Sequence, residues 1–465
     1  MKSLNSIKIS GREVLPIIEG GKGVSVTNWN SSGAFAAAGA VGTFSGVNSD
    51  SYDDNGKVIP QKYYGKTRKE KHEEMIKYSI TGGITQAKKA YELAGGKGCL
   101  HMNVLWEMGS CETILTGILD ETKGLVNGIT CGAGMPYKVA EIADKYGVYY
   151  YPIVSSARTF RALWLRSYHK HKDLLGGVVY EDPWQAGGHN GFSNDESPDI
   201  PQNPRERVAK LRAQMNEFGL QNVPIIMAGG VWWISEFEDW LDDKEIAPVA
   251  FQFGTRPLLT KESPISDAWK KRLMTIKKGD VVINKFSPTG FYSSAVNNDF
   301  LKELTSRSEH QVPYSTEQTA EHSEDFKTGV VGNPVFLTKE DRKKVSDWQN
   351  QGLTKALRTP DSTLIFVSEE KAKEILADQA GCIGCLSACL FSNWSQRESG
   401  TTGRMADPRS FCIQKSLQII SHTSRTEDVL MFSGHNAFRF GEDEFYKNGF
   451  IPSVKQLVDR IATGF

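Results

Sequence analysis

Eight short apolar runs, separated by helix-like stretches within the first 260 residues, constrain this chain more than any other feature. The runs are Val14–Ile18, Ala40–Ser45, Cys99–Leu105, Leu125–Cys131, Tyr149–Val154, Leu175–Glu181, Val223–Ala228 and Val249–Phe253. The helix-like stretches between them include Ser32–Ala38, Lys69–Leu93, Pro136–Tyr146, Ala157–His169, Pro204–Phe218 and Ser235–Leu241. Strands that alternate with helices form parallel βαβ units, and eight such units fit a closed (β/α)8 TIM barrel better than an open sheet. The polar stretch Asn48–Lys66 reads as an insertion after the second strand. From Pro264 onward the alternation stops. Residues 1–270 are therefore expected to form the barrel, and 271–465 an extension that packs on it and partly caps its mouth. Within the extension, Val281–Ile283 is strand-like, Thr305–Lys327 reads as a polar surface loop, and Lys339–Gly352, Ser368–Ala380 and Val454–Ala462 read as helices.

The loops after the last three runs carry the chemistry. Past the sixth comes Gln185-Ala186-Gly187-Gly188-His189-Asn190-Gly191. Its glycines let backbone approach a flat ligand closely, and imidazole is the side chain suited to proton transfer near neutrality. Past the seventh comes Ala228-Gly229-Gly230, and past the eighth Gly254-Thr255. In (β/α)8 barrels these last two loops are the usual phosphate site, where backbone N–H groups and a hydroxyl can hold an anion. Tight strand–helix turns would use the same glycines.

These features together resemble the nitronate monooxygenase family, formerly 2-nitropropane dioxygenases. The resemblance spans roughly residues 14–300, and it looks closest to a longer subgroup with a cysteine-containing C-terminal extension. It implies an FMN-dependent barrel enzyme that oxidises alkyl nitronates with oxygen to a carbonyl compound and nitrite. Ala186–Gly191 matches the catalytic-histidine motif, which makes His189 the implied catalytic residue. It would bind an anionic nitronate when protonated, or take a carbon-bound proton from a nitroalkane when neutral. Ala228, Gly229, Gly230, Gly254 and Thr255 match the phosphate loops; Asn103 matches an asparagine near the flavin phosphate, and Gly132 a glycine that approaches the flavin. Gln185, Gly187 and Gly188 of the histidine turn are further implied flavin contacts, as are Gly20 and Gly21 after the first strand. The family's usual Gln-Gly-Pro-Met is here Glu19-Gly20-Gly21-Lys22-Gly23, Val231-Trp232-Trp233 is bulkier than the usual polar helix start, and Asp242–Pro248 replaces Ala-Leu-Gly-Ala. Lys22 could stabilise a reduced flavin, and Tyr292, Tyr314, Trp232 and Trp233 could wall a substrate pocket; surface exposure or packing explains each as well.

The cysteines leave a choice open. Cys382, Cys385 and Cys389 follow a C-x2-C-x3-C spacing, with Cys412 farther on. The local string resembles the iron–sulfur segment of the dienoyl-CoA reductase and trimethylamine dehydrogenase relatives, with a longer last spacing. Four thiolates can hold a [4Fe–4S] cluster or a zinc ion. The first three also fall on one face of a helix, where cysteine is a small core residue. Cys99, Cys111 and Cys131 are expected to be buried in the barrel.

Composition excludes more than it identifies. The formal net charge is zero and 39% of residues are hydrophobic, so nothing marks a nucleic-acid or membrane partner. No apolar stretch spans a bilayer and no secretory signal core is visible, so reduced thiols in a cytoplasm are expected. A small-molecule substrate and oxygen are the expected partners. Two other functions remain open: a flavin-dependent enoyl or acyl-thioester reductase using NAD(P)H, and a non-catalytic flavin- or cluster-binding subunit of a larger synthase.

Overall fold

The computed structural model describes residues 4–24, 26–328, 334–421 and 423–464. Eight parallel strands close a barrel. They are β1 (Ile17–Glu19), β2 (Val41–Ser45), β3 (Cys99–Leu105), β4 (Gly128–Gly132), β5 (Tyr149–Val154), β6 (Val178–Glu181), β7 (Ile225–Ala228) and β8 (Val249–Phe253). Each pairs with its sequence neighbour, and β8 returns to β1 through Phe251 opposite Ile17. The strands read as continuous apolar runs because helices cover the outside while Ile18, Val41, Val179, Ile226 and Ala250 fill the inside. All eight expected runs are barrel strands. Their starts shift by up to three residues, as at Leu125 against Gly128 and Leu175 against Val178; the first begins at Ile17 because Val14 ends a short hairpin with Ile7–Ile9 under the barrel floor. There Ser10 Oγ bridges His101 Nε2 at 2.9 Å and Tyr151 Oη at 2.7 Å.

Outside lie α1 (Trp29–Ala37), α2 (Arg68–Ala94), α3 (Cys111–Glu121), α4 (Val139–Tyr146), α5 (Ala157–Arg166), α6 (Pro204–Glu217), α7 (Glu238–Leu241) and α8 (Asp267–Leu273). The insertion after β2 folds into a small hairpin, Ser51–Tyr52 against Val58–Ile59. Helix α2 starts sharply because Thr67 and Glu70 form a capping box, and it stops at left-handed Gly95. Among the described residues no helix is long and apolar enough to cross a membrane.

The extension adds the hairpin β9 (Val281–Asn284) and β10 (Ser293–Val296), then α9 (Asp299–Glu309), α10 (Lys339–Asn350), α11 (Glu369–Ala380), α12 (Ile413–Gln418) and α13 (Val454–Thr463). Phe253 and Trp269 share one continuous core with Leu304, Phe440 and Leu457 of the extension. Thr305–Lys327 is not the polar loop its composition suggests. Helix α9 runs into it, and Gln311–Pro313 and Glu324–Phe326 are strands of small sheets. The signal was hidden because few apolar residues, such as Val312 and Phe326, are each fully used in a satellite core with Val335, Leu337, Leu364 and Phe366. The cysteine stretch is not helical either: a bend and a two-residue strand occupy residues 387–389. The helical-face explanation of its spacing therefore fails.

Arg212 of α6 fixes the strand starts beneath the phosphate loops. It is 1% exposed and has no carboxylate partner; its guanidinium donates to Ile246 O (3.0 Å), Val223 O (2.9 Å) and Pro248 O (3.0 Å). A planar five-donor fork suits several carbonyls at once, which neither lysine nor an apolar residue can match. Arg212→Met is expected to destabilise the fold by about 3 kcal/mol or more by stranding buried carbonyls, as measured by denaturant unfolding. Arg212→Lys should recover less than half of that loss.

Candidate active site

The C-terminal ends of β1, β6, β7 and β8 surround a cavity of about 90 Å³, room for a phosphate-sized group. Gly20, Gly21 and Lys22 line it from β1, Gln185 and Gly187 from the histidine turn, Gly229 and Gly230 from β7, and Gly254 and Thr255 from β8. Gly229 and Gly230 adopt φ of +83° and +78°, and a Cβ on Gly229 would lie 2.9 Å from Asp182 O. Only glycine suits that turn. The side chain of Asp182 pins the start of the histidine turn by accepting from the amides of Trp184 (2.9 Å) and Gln185 (3.1 Å). Gly21 presses on Asn103 so closely that a Cβ would sit 2.2 Å from the asparagine Cβ.

The extension covers a further side. The Gly434 amide donates to Thr255 Oγ1 at 2.9 Å, which leaves that hydroxyl its own hydrogen to donate. Asn436 Nδ2 donates to Gly230 O at 2.6 Å, and the His435 amide to Gln185 O at 3.2 Å. Gly434 and Asn436 themselves line the cavity. Arg256 anchors this cover from beneath. It is 1% exposed, with its guanidinium 3.8 Å from the Trp233 ring centre and 4.9 Å from that of Trp232. It also donates to Trp232 O (2.6 Å) and Tyr446 Oη (3.1 Å). Trp232 Nε1 in turn reaches Asp443 Oδ2 at 2.7 Å. The tryptophans that depart from the family pattern thus hold the extension. Tyr314 packs in the satellite core.

His189 stands beside this cover. Gly188–His189 pairs with Ser293–Ser294 of β10, and His189 Nε2 lies 2.7 Å from Ser287 Oγ. The Phe432 ring tilts against the imidazole at 5.4 Å. Burial lowers the pKa of His189 from 6.5 to about 4, so the ring is neutral at physiological pH. Two carboxyls move the other way. Burial, and then the neighbouring Asp182, raises Glu181 to about 8. Burial also raises Glu19, against the pull of Lys22, while the same burial lowers Lys22.

The structure therefore gathers Gly20, Gly21, Gln185, Gly187, Ala228, Gly229, Gly230, Gly254 and Thr255 around one cavity. Asn103, Gly132 and Gly188 do not line it. Asn103 sits behind Gly21, Gly132 ends β4 against Ile153, and Gly188 turns toward Phe432. Sequence reading missed Ser287, Gly434 and Asn436, which come from an extension whose docking no local pattern encodes, and Arg256, whose partner Tyr446 lies in that extension. The string Ser433–Phe438 was legible only as one that folds back. The four cysteines line a separate cavity, and among the described residues no three His, Cys, Asp or Glu side chains converge on one point as ligands of a metal ion.

A glycine cradle at the mouth of a closed barrel, with a histidine turn beside it, fits a phosphate-bearing ligand on a TIM-barrel enzyme. The nitronate monooxygenase family model matches residues 98–373, and the chain belongs to that family. Solved structures share the fold. The enoyl reductase domain of MlnA from the macrolactin biosynthesis cluster of Bacillus amyloliquefaciens is 11% identical with a TM-score of 0.54, covering 97% of this chain and 93% of that one. FabK from Thermotoga maritima is 15% identical with a TM-score of 0.50, covering 97% and 92%. A nitroalkane oxidase from Streptomyces ansochromogenes is 18% identical with a TM-score of 0.44, covering 62% and 78%. No curated protein matches the sequence.

Three outcomes follow from this geometry. Arg256→Met removes roughly 2 kcal/mol of desolvated cation–π attraction, so flavin release, followed by fluorescence, is expected to accelerate roughly tenfold or more. His189→Asn should lower turnover by about a hundredfold with flavin retained. The wild-type rate should stay level as pH falls through 6.5 and drop only toward about 4, because the neutral ring is already the dominant form above that. A decline centred at the ordinary imidazole value would contradict the buried environment.

Proposed function

We propose that the protein is an FMN-dependent reductase of enoyl thioesters that draws its electrons from NAD(P)H. The observation that carries this reading is the docked extension, which completes the site around His189. Likeness to the enoyl reductase domain of MlnA runs through that extension and covers nearly the whole of both chains. The state of His189 supports the same reading. A neutral imidazole offers no cation to an anionic nitronate, but it can donate a hydrogen bond to a thioester carbonyl.

The glycine cradle, with Thr255 and Lys22, would hold the FMN phosphate. Bound FMN would supply the hydride for the carbon–carbon double bond. The protein's own part is to bind, orient and exclude water. Ser287 Oγ fixes the His189 ring, whose N–H stabilises the negative charge that builds on the thioester oxygen. Glu181, held protonated by burial, is the proton reservoir at the same mouth. Phe432 and residues 433–436 keep solvent away from the ring side.

A second reading is favoured by the family match itself: oxidation of nitroalkanes, with neutral His189 as the base that removes the carbon-bound proton. An anaerobic absorbance titration separates the two. NADPH is expected to bleach the flavin, and a short enoyl thioester such as crotonyl-CoA to restore its colour. Bleaching by an alkyl nitronate or nitroalkane but not by NADPH would overturn the reductase reading in favour of the oxidase.

A further inference from the structure

We propose that Cys382, Cys385, Cys389 and Cys412 bind a [4Fe–4S] cluster in a cavity of their own. The four sulfur-bearing residues line one space of about 670 Å³ between the insertion after β2 and helices α11 and α12, and all four are free thiols. They share its lining, and among the described residues they do not form a ligand set for a single metal ion. A single zinc ion needs its thiolates about 2.3 Å from one centre, an arrangement absent among the described residues. In a four-iron cluster each thiolate binds a different iron, so the sulfurs stand around the group.

The backbone here is built for thiolates. The Gly384 amide points at Cys382 Sγ (3.4 Å), and the Ser392 hydroxyl donates to the same sulfur at 3.1 Å. Ser392 and Phe391 also direct donors toward Cys389, and the Lys415 amide toward Cys412. A neutral thiol is a weak acceptor, whereas a thiolate bound to iron is a strong one. Hydrogen bonds to the sulfurs are also among the features that set a cluster's potential. The loop is held in place independently of any metal. Gly384 takes φ +70°, and a Cβ there would fall 2.5 Å from Trp394 and 2.6 Å from His72. Gly109 N–H donates to Cys385 O at 2.8 Å, and Ser387 N–H to Glu107 O at 2.7 Å. The loop is thus fixed and non-helical, with its four thiols facing one shared space.

The site is tied to the active centre. Next to Cys389, the Leu390 amide donates to Pro288 O at 2.9 Å, one residue from the Ser287 that holds His189.

The test is protein purified anaerobically and reconstituted with ferrous iron and sulfide. About four iron and about four acid-labile sulfide per chain are expected, with broad visible absorbance beneath the flavin bands and a paramagnetic signal after dithionite. Cys389→Ser and Cys412→Ser should each lose most of the iron, while Cys111→Ala, which alters a cysteine outside the cavity, keeps it. Wild-type protein that takes up no iron, or only zinc, overturns the proposal, as do quartet variants that keep the full iron content. If the serine variants do not fold, alkylation of the native wild type decides. Reconstitution should protect those four cysteines from labelling, and equal labelling before and after overturns the proposal. None of these readouts depends on turnover, so they stand apart from the reductase reading.

Discussion

The arrangement at the barrel mouth depends on one buried cation held mainly by aromatic rings. Arg256 leaves the end of β8 and is held by aromatic faces and two oxygens. Burying a guanidinium costs several kcal/mol, which this cage offsets through stacking and directed hydrogen bonds. The cage joins residues of the two phosphate-side loops, Trp232 and Arg256, to Tyr446 near the end of the chain. It backs the bonds by which Gly434 and Asn436 hold Thr255 and Gly230. The extension is thus a wall of the site and not an appendage.

The same burial sets the charge of the site. It drives His189 toward neutrality and lifts Glu181 and Glu19 toward their protonated forms. A mouth whose acids are protonated and whose histidine is neutral gives little repulsion to an anionic cofactor. It also keeps protons available to a carbon centre. The side chain closest to a fixed positive charge there is Lys22, which donates to Gly20 O at 2.7 Å.

The barrel was legible because its strands are buried on both faces and so write themselves as uninterrupted apolar runs; all eight were recoverable. The glycine loops were legible because positive φ and close backbone contact leave few alternatives at Gly229 and Gly230. The extension was harder to read. Its anchors are single residues, such as Arg256, Asp443 and Asn436, whose partners lie far away in sequence. Trp232 and Trp233 could be seen as departures from a pattern, but their purpose needed Arg256 and Tyr446 in three dimensions. The cysteine spacing suggested a helix face as readily as a ligand loop, and the non-helical backbone there removes the helix face.

Synthesis proceeds from the N-terminus, so β8 and both phosphate loops exist well before Ser433–Tyr446 leave the ribosome. Barrel strands and phosphate loops alone would therefore leave open the side of the cavity that Gly434 and Asn436 cover.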